Sequence, residues 1–270
     1  MTILVNLLIG DETWELQKRS LRSIRDFHPE IRIVTYHSLS SNKTEILKTL
    51  DSLQVDNVDI GTPGLLSLGT SSEYSDYNTQ SFNIRSSFKW LAMLGAMANH
   101  LDNIIFIDAD ILLMRALPFS SFDEIWEHYE IFVQDEGNSL FPKHPCTGFV
   151  GMKFGDQNIT LLDKLHKEQA AAILSSEGQH DQSIFFQHIS KSIETYKLVY
   201  FLPQSLFPVG YMAPIYRNFD SSSVAMQGQE DPVLYHANWT IGVENKVALM
   251  DAFGSGVGHS KREDMSLPLI

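Results

Sequence analysis

The chain has 270 residues, 43% hydrophobic and 11% aromatic, enough for one large α/β domain or two small ones with a sizeable core. A formal net charge of −13 argues against nucleic acid or an anionic membrane surface as the main partner, and any anionic ligand would need cations supplied locally. The lone Cys146 excludes an internal disulfide and a thiolate zinc cluster, which fits a reducing compartment.

Ile3 to Ile9 reads as a buried strand ending at Gly10. The run is too short to span a bilayer and lacks the basic flank and cleavage site of a signal peptide, so a cytoplasmic protein without a membrane span is expected. Asp11 or Thr13 can cap a helix from Trp14 to Phe27, whose apolar positions Trp14, Leu21, Ile24 and Phe27 keep near-helical spacing. A strand from Ile31 to Tyr36, an amphipathic helix from Lys43 to Leu53 and a short strand at Val58 to Ile60 follow. This alternation predicts the start of a doubly wound sheet. From Gly61 to about Gln80 the composition is that of a long loop.

A helix is expected from Ser81 to Leu101, with Ile84, Phe88, Leu91, Gly95 and Ala98 on one face and Arg85 and Lys89, four apart, on another. It leads to Ile104 to Ile107, four large apolar residues that read as a strand buried on both faces, with Asp108 and Asp110 at its carboxyl end. Ligands of open α/β sheets bind at that edge. Two such charges about 4 Å apart repel by roughly 4 kcal/mol at an effective dielectric near 20, and a divalent cation is the simplest remedy. The same residues also fit a plain turn, in which an Asp bonds its own backbone.

Beyond Ile111 to Leu113 and Pro118, a helix through Ile125, Trp126 and Tyr129 is expected. Strands are expected at Ile131 to Val133 and Gly148 to Met152, separated by a turn containing Pro142 and Pro145. Helices follow at Ile159 to Leu174 and from Asp181 through Ile189, then a strand at Leu198 to Leu202. Pro203 to Asp231 reads as irregular, Pro232 to His236 as a strand and Glu244 to Phe253 as a helix. Residues 1–253 are expected to form one domain, with 254–270 a loosely held tail.

Four further groups fall at strand ends or helix starts: Arg85 with Lys89, Cys146-Thr147-Gly148, His180-Asp181-Gln182-Ser183, and His236 through Gly242 to Lys246. Each has an ordinary structural alternative. His236 can be a hydrogen-bonded strand-end histidine, Asp181 a helix cap, and Lys246, Arg85 and Lys89 solvated helix residues.

Taken in order, these groups resemble a glycosyltransferase of the GT-A fold, in the nucleotide-diphospho-sugar transferase group related to the glycogenin-like and galactosyltransferase enzymes. The resemblance is strongest from Ser81 to Leu117 and recurs at Cys146 to Met152, His180 to Phe186 and His236 to Lys246. It implies a Rossmann-like α/β fold, with a mixed, mostly parallel sheet flanked by helices. It also implies that Asp108, Asp110 and His236 hold Mn²⁺, with Mg²⁺ as the alternative, and that Asp110 is the less replaceable aspartate. Arg85, Lys89, Asp108, Thr147, Gly148, Gly242 and Lys246 would bind the donor, a nucleotide sugar more readily UDP- than GDP-linked. Asp181 and Gln182 would be catalytic, in transfer to a hydroxyl of a glycan, protein or small acceptor with retention of configuration. If the reaction inverts instead, Asp181 is the general-base candidate.

One departure from the resembling family is Cys146, where Asn or a similar polar residue is usual; a thiol cannot replace an amide's hydrogen bonds. Two other functions fit parts of the pattern: a silent sugar-nucleotide or glycan binder on the same fold, and an aspartate-nucleophile phosphohydrolase. The phosphohydrolase motif has Thr or Val two residues past the second acid and starts the chain. Here Leu112 stands at that place, after a hundred residues.

Overall fold

The structure is a computed structural model that describes residues 2–39, 42–61, 79–137, 143–175, 179–210, 232–238 and 240–256. The strands are β1 (Thr2–Ile9), β2 (Ile33–Ser38), β3 (Asp56–Asp59), β4 (Asn103–Ile107), β5 (Ile111–Leu113), β6 (Ile131–Asp135), β7 (Pro145–Met152), β8 (Val199–Leu202) and β9 (Leu234–His236). The helices are α1 (Trp14–Phe27), α2 (Lys43–Ser52), α3 (Gln80–His100), α4 (Phe119–His128), α5 (Asp156–Leu174), α6 (Asp181–Ile189), α7 (Ile193–Lys197) and α8 (Val243–Gly256).

A seven-stranded sheet in the order β3-β2-β1-β4-β7-β6-β8 forms the middle layer. Its strands are parallel apart from β7, which runs against both neighbours. The two-residue period of buried strands divides the core. Leu4, Leu8, Ile105, Ile107 and Phe149 face one way, onto α1, α2 and α4, while Ile3, Val5, Ile104, Phe106 and Val150 face α3, α5 and α6. From β1 the chain winds outward to β2 and β3, then returns through α3 to β4 on the other side of β1. The carboxyl ends of β1 and β4 therefore flank a topological switch point, the place where such sheets bind ligands.

Two local features shape that edge. The antiparallel pair β5–β9 places His236 opposite Ile111, and the Ala237 N–H donates to the Asp110 carbonyl at 2.9 Å. The late histidine is thereby pinned beside the acidic pair. In β6–β7 the pairing jumps from Val133–Val150 to Gln134–Cys146, so Thr147, Gly148 and Phe149 stand opposite no β6 residue. Bulges of this kind re-aim side chains. Here the bulge carries Gly148 up to the acidic pair, its carbonyl accepting from the Asp108 N–H at 2.8 Å.

Several boundaries differ from the sequence expectation. Strand β2 lies two residues later than expected, and β7 starts at Pro145 instead of leaving it in a turn, because a strand's first residue tolerates the missing N–H. The single expected face of α3 is incorrect: Lys89, Trp90, Met93, Ala96 and Met97 are buried and Ala98 is exposed. This helix packs against both the sheet and α5, which blurs the 3.6-residue pattern. Thr13 stands at the N-cap of α1 without a capping side-chain bond, and the Asp11 carboxylate accepts from the Asn42 N–H at 2.8 Å. The N-cap of α6 is His180, not Asp181. Short α7 has no counterpart in the expectation, and α8 runs on to Gly256. The expected loop from Gly61 falls, for 62–78, outside the described residues; so do Pro142, most of the irregular segment (211–231), Trp239 and the tail from 257. Among the described residues no helix is long and apolar enough to cross a membrane.

Candidate active site

A cleft of about 680 Å³ opens at the switch point, lined by Arg85, Lys89, Asp108, Asp110, Thr147, Gly148, Asp181, Gln182, His236 and Lys246 among others. The predicted site residues thus converge on one cleft, although they come from six different segments. Gly242 does not line it. Its φ of +86° is a left-handed conformation that favours glycine, and its carbonyl accepts from the Lys246 N–H at 3.2 Å. Gly242 therefore sets the entry to α8 and with it the place of Lys246.

Asp108, Asp110 and His236 offer ligand atoms that all lie within 4.8 Å of one another. Two carboxylates and one imidazole suit a divalent transition ion. His236 Nε2 is 3.2 Å from Asp110 Oδ1, and Lys246 Nζ is 2.5 Å from Asp110 Oδ2. The space around these atoms depends on Gly148. A Cβ there would overlap the His236 ring and come within 3.0 Å of Asp108 Oδ2. Burial of Asp110 (8% exposed) would raise its pKa, but Lys246 and His236 outweigh that and hold it well below the ordinary carboxylate range. Asp108 goes the other way: burial, with the Asp110 charge adding to it, raises its pKa despite Lys89. The two acids are unequal, with Asp110 the more firmly ionised.

Lys89 forms the second centre. Its ammonium is buried (5% exposed), donating to Asp181 Oδ2 at 2.7 Å and the Thr147 carbonyl at 3.0 Å, with Asp108 Oδ1 at 3.3 Å. Thr147 Oγ1 donates to the same Asp181 oxygen at 2.6 Å. Burial alone would raise the Asp181 pKa, yet Lys89 and Thr147 hold it below the ordinary value. Burial opposes the charge of Lys89 too, but Asp108 and Asp181 overcome it and its pKa lies above the usual lysine value. Arg85 pairs with Glu12 at the cleft wall.

Sequence reasoning missed Gln134 and Glu136. Gln134 Oε1 is 3.1 Å from His236 Nδ1, and Glu136 Oε2 accepts from Gln182 Nε2 at 3.3 Å. Their signal was available: Gln134 is a polar residue near the end of the buried strand β6, and Glu136 directly follows its last residue. Cys146, the departure from the family pattern, lies behind His236 with Sγ 3.6 Å from Nδ1. Burial pushes its thiol well above the ordinary pKa, so it is neither a ready nucleophile nor a thiolate ligand.

A parallel sheet with one reversed strand, carrying an Asp-x-Asp and a late histidine at its switch point, defines a glycosyltransferase of the GT-A class. The family model for nucleotide-diphospho-sugar transferases matches residues 85–250, more than half of the chain, and the protein belongs to that family. The fold is similar to that of the galactosyltransferase LgtC solved with donor and acceptor sugar analogs, at 13% identity and TM-score 0.60 over 96% of this chain and 97% of that one. An active-site mutant of LgtC gives 12% identity and TM-score 0.63 over the same shares. Mouse xyloside xylosyltransferase 1, in its apo form, gives 13% and 0.53, covering 88% of this chain and 98% of that one. No curated protein matches the sequence.

Proposed function

We propose that the protein transfers a sugar from a UDP-linked donor to an acceptor hydroxyl with retention of configuration, using Mn²⁺, or Mg²⁺ as the alternative, held by Asp108, Asp110 and His236. The acceptor class is a glycan, a protein or a small molecule. One observation carries this: the ligand atoms of Asp108, Asp110 and His236 lie within 4.8 Å of one another, in a cleft that also holds Lys89 and Lys246, in a chain with net charge −13. The cation and lysines create a local positive field where an anionic diphosphate can sit. When bound, the ion supplies Lewis-acid stabilisation of the departing diphosphate.

The protein's own groups supply the rest. Lys246, at the cleft end of α8, adds positive charge where the leaving phosphate gains negative charge. Lys89 holds Asp108 and Asp181 at fixed positions, and its part in donor binding works through those two carboxylates. Asp181 is ionised and hydrogen-bonded, and its lowered pKa makes it a weak base. That supports an electrostatic role beside an oxocarbenium-like sugar, with Gln182 next to it, over deprotonation of the acceptor. The acceptor then attacks on the face the diphosphate leaves, and the departing phosphate oxygen takes its proton. Gln182 is in turn oriented by Glu136. The free, buried Cys146 agrees with the cytoplasmic setting we propose.

The test is a panel of nucleotide sugars with Mn²⁺, read by release of the nucleoside diphosphate and by NMR of the product anomer. Release from one UDP-sugar with a retained anomer is expected. An inverted product would refute the front-face mechanism, and no release from any donor would leave a binding protein instead of an enzyme.

A further inference from the structure

We infer that Gln134 is the positioning residue that fixes the ring of His236 in the Nδ1–H tautomer and so presents the Nε2 lone pair to the cation. The inference rests on the metal-dependent function proposed above. Gln134 is fully buried at the β6–β7 register jump. Its amide orientation follows from its neighbours. The carbonyls of Phe207 and Pro208 both lie 3.3 Å from Nε2, and since carbonyls only accept, the NH₂ must face them. Oε1 must then face His236 Nδ1, at 3.1 Å. An amide oxygen that close calls for a hydrogen on Nδ1, which leaves Nε2, 3.2 Å from Asp110 Oδ1, as the nitrogen that faces the cation once the ion lies between it and that carboxylate.

The competing partner of Nδ1 is weaker. Cys146 Sγ lies at 3.6 Å, and a thiol is a poor donor. Asn238 Nδ2 already donates to that sulfur at 3.4 Å, with its own amide fixed by the Gly210 N–H on Oδ1. On its other side the ring meets Gly148, where no side chain intervenes. Gln134 and Gly148 thus act as a pair: one sets the tautomer, and the other leaves room for the Nε2 face. Outer-sphere partners of a ligating histidine typically change metal affinity 10- to 100-fold when removed.

The experiment measures Mn²⁺ affinity in the presence of UDP by calorimetry for wild type, Gln134→Met, Gln134→Glu and Asp110→Ala. Gln134→Met keeps the length and removes the acceptor, and should weaken Mn²⁺ about 10- to 100-fold. Gln134→Glu keeps an acceptor toward Nδ1 and should stay near wild type, although it also loses the bonds to Phe207 and Pro208. A merely structural Gln134 would have both variants weaken alike, which overturns the inference. Should neither variant fold, nitrogen-15 NMR of wild-type His236 with UDP and diamagnetic Cd²⁺ decides: protonated Nδ1 is expected, and protonated Nε2 overturns it. If wild type binds Mn²⁺, Asp110→Ala does not, and Gln134→Met matches wild type, only this inference falls. If wild type binds no Mn²⁺, the metal-dependent function falls with it.

Discussion

Gly148→Ala isolates the geometry of the site, because it adds one methyl group and removes no ligand. The added Cβ would lie 2.8 Å from His236 Nε2 and 3.0 Å from Asp108 Oδ2, overlapping the ring carbon between the two imidazole nitrogens. Ordinary van der Waals contact requires a displacement on the order of 1 Å. His236 cannot retreat freely: it is 2% exposed, with Gln134 at 3.1 Å and Cys146 at 3.6 Å behind it. Overpacking of this kind costs about 1–3 kcal/mol, or roughly 2–10 °C in Tm for a domain of this size. Metal–ligand distances tolerate only about ±0.2 Å, so the ligand set would be lost well before the fold. Mn²⁺ titration in the presence of UDP should show at least a tenfold loss (~1.4 kcal/mol), with a cooperative thermal transition retained. An alanine variant that binds Mn²⁺ and melts as wild type does would refute the packing argument.

Lys89→Met should destabilise by about 3–5 kcal/mol in urea unfolding, because it leaves the buried Asp181, and beside it the half-buried Asp108, without their shared cation; a loss under ~1 kcal/mol would contradict that role. Arg25 donates to the carbonyls of His28, Pro29, Ile31, Leu53 and Gln54, joining the ends of α1 and α2. Arg25→Ala should therefore cost about 1–3 kcal/mol with Mn²⁺ binding unchanged, and an unchanged unfolding midpoint would count against that knot. His28 Nε2 accepts from the Leu117 N–H at 2.7 Å, and burial lowers its pKa from 6.5 to about 4. The unfolded chain takes up this proton first, so the stability His28 contributes is present above pH 6.5 and is lost as pH falls towards 4. After solvent screening the change should be roughly 1–2 kcal/mol, and His28→Gln should flatten the profile over that range. An identical pH profile in the variant would show that another group carries it.

The parts of the fold set by local pattern were legible in the sequence. The apolar runs of β1, broken by Asn6, and of β4, and the amphipathic spacing of α1, appear where expected, because burial on two faces and on one face leave different periods. What was not legible depends on partners distant in sequence. The β5–β9 ladder, which brings His236 to Asp110, joins segments more than a hundred residues apart, and nothing in Ile111 to Leu113 announces it. The β7 bulge is equally silent, although Thr147-Gly148 are small enough to allow it. Lys89 illustrates the limit of periodicity. Its spacing from Arg85 suits a solvated face, yet the helix is sandwiched and the ammonium is buried against carboxylates from two other segments. Asp181 looked like a cap by composition, and its partners Lys89 and Thr147 are set only by the tertiary fold.

The central claim is that Asp108, Asp110 and His236 hold a cation for a nucleoside diphosphate. Thermal unfolding with UDP, with and without Mn²⁺, tests it most directly. A ligand at about 100 times its Kd stabilises by about 2.7 kcal/mol, or roughly 5–10 °C in Tm here. Wild type should show that shift only when UDP and Mn²⁺ are both present, and Asp110→Ala should lose it. An Asp110→Ala protein that shifts as far as wild type with UDP and Mn²⁺ would contradict the assignment.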